Sequence, residues 1–457
     1  MFLQRVQPIF NEVKGKMRNK MKNIAKVWRS STAFLLSAFS FLILVSCSQE
    51  EILPQETSAL RFVVGDFPTF GEGTQTRAIG TQDEGKTAWA DGDKILVHLY
   101  SQKYGDQAVT LTYDAENNTW ESDGGTLSYL ENETPTITAV YAPDCEIKEG
   151  QIALQDGKQY GEAEYILART TISGNTLDIR FESGRTYSRL RIVGLPNQTL
   201  TVTTTDFTPA GATEVATAAY TLTTDNNGNA FLYGVFAEGA TVSVKQGDIT
   251  LKDYTFSAEK NPNGTEYNKS YALDATPVID GTLGGKTEAT EDDITALVEQ
   301  LKEYVDNGIT TIIVPGSQPA TIDMGLWINT SIGEAIYRLS KEESYDGKID
   351  LILPDVTEIV DQEFDGAHAL NSINLPKVTT VGDGAFYDCQ YLEELTFGSV
   401  VTAINHNTRA EFYRVGGKVE GCDLVLNREQ VNAEADYQPN LETRTWWNTE
   451  WKSITLK

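Results

Sequence analysis

The sequence predicts a multidomain protein: an N-terminal all-β part made of two tandem β-sandwiches, followed by an α/β solenoid of short repeats. Two observations carry that reading. From residue 58 to about 276 the chain is a succession of short, alternating, β-branched and aromatic runs separated by turn clusters, with no helical spacing between them. From Leu353 to Phe397 a set of apolar positions recurs at one unvarying interval of 22 residues. A third feature, a hydrophobic leader that stops at Cys47, bears on where the folded part is displayed.

The leader comes first. Lys20, Lys22, Lys26 and Arg29 precede an apolar run from Ala33 to Val45, broken by Ser37 and Ser40 and closed by Leu44-Val45-Ser46-Cys47. The run is about 13 residues, short of the ~20 a spanning helix needs, so residues 1–46 read as a signal peptide and not as an anchor helix. Met1 to Lys20 exceeds what an ordinary signal requires, and Met21-Lys22-Asn23 looks like the true start. The Leu-Val-Ser-Cys ending resembles the lipobox of bacterial lipoproteins. That resemblance implies that the Cys47 thiol receives diacylglycerol and becomes an acylated, palmitate-bearing N-terminus. It places the chain at the cell outer membrane, lipid-anchored and surface-exposed, with no other cofactor. Residues 47–57 are then a tether. Its Ser48-Gln49-Glu50-Glu51 resembles the acidic export signal of surface-displayed lipoproteins in Gram-negative anaerobes, and is equally a plain solvated linker.

Composition narrows the partners. The net charge is −28, and the leader holds eight basic residues and one acidic residue, so the remaining 411 residues carry about −35. Such a chain repels nucleic acid and anionic lipid surfaces. Cys145, Cys389 and Cys422 are too widely spaced for a disulfide framework or a zinc pattern, and His98, His368 and His406 are isolated. No metal site is expected.

Strands are expected at Arg61–Val64, Lys94–Tyr100, Val109–Tyr113, Thr136–Tyr141, Leu177–Phe181, Leu190–Val193, Leu200–Thr205 and Val242–Val244. Ala115-Glu116-Asn117-Asn118 and Asp225-Asn226-Asn227-Gly228-Asn229 supply turns. The second alternates like a calcium loop, but Ala230 replaces the required glycine and no closing glutamate follows, so a hairpin turn is expected. About 215 residues is long for one sandwich, which predicts a division into 58–170 and 171–276, with Leu177–Phe181 opening the second.

Thr76-Arg77-Ala78, followed by Trp89-Ala90-Asp91-Gly92-Asp93-Lys94-Ile95-Leu96-Val97, resembles the fimbrillin-like (Mfa-like) lipoproteins. Gly92-Asp93 makes a turn, Trp89 plugs a sandwich end, and Ile95 and Val97 point inward. Leu177 to Ile192 resembles that family's second sandwich. The resemblance implies cleavage between Arg77 and Ala78 by an Arg-specific protease, release of the first strand, and acceptance of a strand from another fimbrial subunit. An uncleaved loop is the alternative. With repeats in place of a donor strand, such a chain accepts a strand without donating one, as a tip or accessory subunit would.

From residue 277 to 457 the pattern changes. Thr290-Glu291-Asp292-Asp293 reads as a helix cap with acids in the first turn, Ile294, Leu297, Val298, Leu301 and Val305 keep helical spacing, and Gly308 ends the run. Ile309 to Val314 is an expected strand and Ser331 to Lys341 a second helix. Leu353, Pro354, Val356, Ile359, Phe364, Leu370, Ile373 and Leu375 then recur as Leu375, Pro376, Val378, Val381, Phe386, Leu392, Leu395 and Phe397. After Phe397 the pattern decays into Val400 and Ile404. The unit Ile373 to Cys389 resembles BspA-type leucine-rich repeats, which implies that Cys389 is a buried repeat position. Leu353, Ile359, Phe364, Leu370, Leu375, Val381, Phe386, Cys389 and Leu392 form the expected repeat core. Asn371, Ser372, Asn374, Glu393, Glu394 and Thr396 flank it, either as a binding face or merely as solvated positions. Trp446, Trp447 and Trp451 read as a terminal cap, or as a platform for carbohydrate or a partner.

No catalytic constellation is present: there is no G-x-S-x-G, no H-E-x-x-H, and the glycines of Gly281 to Gly285 lack the strand–helix context of a phosphate loop. The expected function is therefore non-enzymatic. The first reading is an adhesin or fimbria-associated surface protein that binds a host or bacterial surface protein through its repeats. The second is a glycan- or nutrient-capturing lipoprotein.

Replacing Cys47 by alanine should move the protein from the detergent-rich to the aqueous phase in a phase-separation assay. Normal processing and membrane fractionation of Cys47→Ala would refute lipidation there.

Overall fold

The computed structural model describes residues 59–70, 86–130, 132–181, 186–259, 263–324, 328–342, 345, 348–405 and 412–457. The expected signal peptide at residues 1–46, the expected tether at 47–57 with Cys47, and Arg77, Ala78 and His406 lie outside these residues. The described chain is mostly β, with several separate sheets and two α-helices among the described residues.

The first β part pairs Thr119–Ser122, Gly105–Asp114, Lys94–Ser101, Thr136–Tyr141 and Ile166–Leu167 in that spatial order. A three-stranded sheet, Arg61–Val64, Thr176–Arg180 and Arg169–Ser173, contributes to the same core. Ile95, Val97, Leu99, Val109 and Leu111 come from the larger sheet, Leu177 and Ile179 from the smaller, and all are fully buried. Trp89 fills one end. Its ring packs edge-on against Phe67 at 4.8 Å, Trp120 at 4.9 Å and Phe181 at 5.4 Å, and its Nε1 donates to Gly65 O at 2.8 Å. Gly92, at φ +79°, makes the tight turn that lets the Lys94 strand start beneath it.

Here one expectation fails. Leu177–Phe181 does not open the second β part. Its strand pairs with Arg61–Val64 in parallel and with Arg169–Ser173 in antiparallel, and Leu177, Ile179 and Phe181 belong to the first core. The alternating pattern identified a strand; only pairing partners 115 residues away in sequence decide which core it joins.

The second β part is one seven-stranded sheet folded over a single core, where separate sandwich sheets were expected. The fold-over lies in Thr199–Pro209, which pairs with Ala216–Thr223 and Thr241–Gln246 along its first half and with Asn229–Phe236 at its end. A register shift between Thr204 and Phe207, with Asp206 at φ +48°, turns the strand. The Asp225 cluster is a hydrogen-bonded turn, with Gly228 N donating to Asp225 O at 2.9 Å and Asp225 N to Asn229 O at 2.8 Å, and the strands it links, Ala216–Thr223 and Asn229–Phe236, pair with others and not with each other. Asp225 Oδ1 accepts from the backbone N–H groups of Asn227 at 2.8 Å and Asn229 at 2.9 Å.

The C-terminal part is built on a parallel ladder, Thr311–Ile313, Ile349–Ile352, Leu370–Leu375, Glu394–Phe397, Asp423–Leu426 and Ser453–Leu456. Leu351, Ile373 and Leu395 stand side by side at intervals of 22, so the sequence period is the step of the ladder. A minor parallel ladder, Glu358–Ile359, Thr380–Val381 and Ala403–Ile404, runs beside it. The helix Glu291–Asp306 has the expected Thr290 cap, with Asp293 completing a capping box, and buries Ile294, Leu297, Val298, Leu301 and Tyr304. The helix Ser331–Ser340 is capped by Thr330. Arg338 joins the two helices through Glu291, at 2.6 Å.

Beside the second helix, Glu363 is buried. Its Oε1 accepts from Thr330 Oγ1 at 2.7 Å and its Oε2 from Val360 N at 3.1 Å. Burial outweighs these bonds and pushes its carboxyl up to about 7 from an unfolded value near 4.5. The folded state thus holds the extra proton between those two values. Stability from this group is complete below pH 4.5, declines as pH rises, and is gone above pH 7, a swing of about 3 kcal/mol. Thermal unfolding followed from pH 4.5 to 7.5 should show this decline in the wild type and a flatter profile in Glu363→Gln. Equal slopes for the two proteins would refute it.

Candidate functional site

A polar surface in matched register lies on the outward rows of the parallel ladder. Inward positions Leu351, Leu353, Ile373, Leu375, Leu395, Phe397, Leu424 and Leu426 are buried. Because side chains alternate along a strand, the residues between them point away from the core. Register places Asp350, Ser372, Glu394, Asp423 and Ser453 in one row, and Ile352, Asn374, Thr396, Val425 and Thr455 in another, of which Val425 is covered by its neighbours.

These rows are tied by hydrogen bonds between repeats. Asp350 Oδ1 accepts from Ser372 Oγ at 2.7 Å and Asn371 Nδ2 at 2.8 Å. Within one strand, Thr396 Oγ1 also donates to Glu394 Oε1 at 3.1 Å. Ser453 Oγ donates to Asp423 Oδ1 at 2.7 Å, which, with Lys452 beside it, holds the Asp423 carboxyl below its ordinary value. Lys348 Nζ bridges Asn371 Oδ1 at 3.2 Å and Glu393 Oε1 at 2.8 Å. The result is a pre-ordered, net acidic array of hydroxyls, amides and carboxylates. It can recognise a polar or basic surface by hydrogen bonding.

All six expected face residues lie along this ladder. Ser372, Asn374, Glu394 and Thr396 occupy the two outward rows in matched register. Asn371 and Glu393 sit at the strand entries, and Asn371 is the extra residue where pairing slips between Ile349↔Leu370 and Asp350↔Ser372. Asp350, Asp423 and Ser453 were missed. Asp350 precedes the first full repeat, and Asp423 and Ser453 follow a break in the period, so only pairing reveals that they extend the row.

The nine expected core positions are all buried. Phe364, Phe386 and Phe412 stack as a ladder of their own, at 5.6 Å and 5.8 Å between centroids. Phe412 was not foreseen, because the third unit is longer than 22 residues at this point. Val401, not Val400, is buried, and Ile404 pairs with Val381, a slip of one residue relative to the period. Buried Gln430 accommodates the slip: its Oε1 accepts from Val401 N at 2.8 Å and its Nε2 donates to Val401 O at 3.0 Å. Cys145, Cys389 and Cys422 are buried free thiols. Cys389 Sγ donates to Phe364 O at 3.0 Å, and burial pushes both the Cys389 and Cys422 thiols up, away from the reactive thiolate. Among the described residues no group of acidic, His and Cys side chains could hold a metal ion.

Comparison with known proteins bears directly on this ladder. Residues 348–414 match the family described as BspA type Leucine rich repeat region (6 copies). That stretch of the ladder is thus similar to BspA-type leucine-rich repeats. No curated protein matches the chain. Solved structures that resemble it include two named as putative cell adhesion proteins and one named as a fimbrial protein. The first, from Bacteroides fragilis NCTC 9343, is 11% identical, with 48% of this chain and 92% of that one covered at a TM-score of 0.24. The second, from Bacteroides ovatus ATCC 8483, is 14% identical with the same coverage and TM-score. The fimbrial protein, also from Bacteroides ovatus ATCC 8483, is 9% identical, with 47% and 48% covered at 0.22. Superpositions of this quality carry no inference about this chain.

Phe386 is the middle ring of the buried ladder, so Phe386→Ala should cost about 3–5 kcal/mol. Limited proteolysis should then degrade the repeats while a fragment of the first β part persists. A protease-resistant repeat part in Phe386→Ala would contradict that role.

Proposed function

We propose that this chain is a cell-surface lipoprotein acting as an adhesin or fimbria-associated accessory protein, with the outward face of its leucine-rich repeats as the contact surface. The observation that carries the reading is the pairing of two kinds of row on one ladder. The inward row is sealed, while the outward row presents polar side chains at a fixed spacing and can change without disturbing the core. Stacked repeats build extended surfaces suited to contact with other macromolecules. The partner that suits the face is a protein surface rich in lysine, arginine or hydrogen-bonding groups.

Three further elements complete the proposal. Acylation at Cys47 would hold the chain in the outer membrane, and the β parts would lift the repeats away from it. Cleavage between Arg77 and Ala78 would detach the segment that contains Arg61–Val64 and, with it, the acylated Cys47, so anchoring through that lipid belongs to the uncleaved chain. That segment contributes Leu60, Phe62, Val64, Phe67 and Phe70 to the first core and forms the edge of its small sheet. Its loss would leave an apolar groove beside Thr176–Arg180, open to a strand from a fimbrial subunit.

Reversing charge on the face tests the reading in the full chain. Cells displaying Ser372→Lys/Glu394→Lys should adhere to host matrix proteins or partner bacteria at least about tenfold less than wild type, with unchanged surface display. Unchanged adhesion would place the contact surface elsewhere.

A further inference from the structure

Three tryptophans lie within six residues near the C-terminus, and they do not share one role. Trp446 and Trp451 are buried. Their Nε1 groups donate to Tyr437 O at 2.9 Å and Trp446 O at 3.3 Å. Both rings pack on Phe412, at 5.7 Å and 5.3 Å, and close the repeat core as terminal caps do.

Trp447 is different. It is only partly buried, packs with Tyr437 against the margin of the repeat core, and with Asn448 forms the two-residue tip between the paired Thr445–Trp446 and Thr449–Glu450. Both tip residues are left-handed, at φ +49° and +57°. Such a tip favours Asn-Gly, and a bulky residue in that region is strained. Strain of this kind persists where a side chain must be presented in a particular place. The Trp447 ring lies flat on Tyr437, with centroids 5.2 Å apart and planes 5° from parallel. Trp447 borders an open cleft of about 500 Å³, lined also by Asp436, Gln438, Asn440 and Asn448. Asp436 and Asn448 make no side-chain hydrogen bond among the described residues.

These groups match one ligand chemistry. An aromatic face is electron-rich and attracts the weakly positive C–H hydrogens on the apolar face of a pyranose ring. Side-chain amides both donate and accept, as sugar hydroxyls do. The single lining carboxylate and the chain's net charge of −28 disfavour an anion. The volume suits roughly one or two sugar rings. We propose that the cleft beside Trp447 is a binding site for a neutral glycan. The site is built from residues other than those of the ladder face and stands whether or not that face binds a partner.

The test uses the full chain, purified in detergent, on an array of immobilised neutral glycans (mannan, galactan, N-acetyllactosamine oligomers), with heparin as the anionic comparator. Wild type should bind at least one neutral glycan and not heparin. Trp447→Ala should weaken that binding at least tenfold, and Trp447→Phe should retain most of it. Trp447→Gly supplies the residue this backbone prefers, so it should lose binding while the chain stays folded. Wild type that binds no neutral glycan, or Trp447→Ala that binds as wild type does, overturns the proposal.

Discussion

The C-terminal half depends on one constraint: a 22-residue unit cannot bury its own apolar face, so each unit is completed by the next. The consequences appear at contact distance. At Gly382 a Cβ would meet Asp361 N at 2.4 Å and Val360 C at 2.5 Å, so neighbouring turns approach as closely as only glycine permits. The Phe364–Phe386–Phe412 stack and the Cys389 thiol on Phe364 O are the same contact seen at other points of the turn. A stack of this kind needs two ends. Val278 bridges to Ile313 in parallel and the two helices cover the first end; Trp446 and Trp451 cover the last.

Closing the ends also fixes how the repeats are mounted. Ile249 and Leu251, from the last hairpin of the folded-over sheet, pack within or against the repeat core. Asn307, just past the first helix, accepts from Asp248 N at 2.8 Å, and Gln246 Nε2 donates to Gly308 O at 3.2 Å. The outward rows are therefore carried on a support that shares apolar side chains with them.

Much of this was legible in the sequence, and the legible part has a physical character. The period of 22, the buried repeat positions, the Thr290 cap and the Trp89-x-x-Gly92-Asp93 turn rest on spacing, which local geometry dictates. The misplacements share a different character. Leu177–Phe181 was recognised as a strand and assigned to the wrong core, because its partner Arg61–Val64 is remote in sequence. Val400 was preferred to Val401 because periodicity cannot show where a unit lengthens. Gln430, which stands in for strand pairing at that slip, carries no sequence signal. The candidate face was legible where the period holds, at Ser372, Asn374, Glu394 and Thr396, and lost at Asp423 and Ser453, where it does not.

The sequence alone determined the step of the repeat, the alternation that seals one side of each strand, and the caps and turns that start each element, because these follow from interactions within a few residues or one repeat. Only the tertiary structure decided which strands share a core, how the second sheet folds over, and which polar residues align into a row. It alone separated Trp446 and Trp451, which close the core, from Trp447, which borders a cleft. Those outcomes depend on contacts between segments far apart in the chain, and such contacts leave no spacing in the sequence from which to read them.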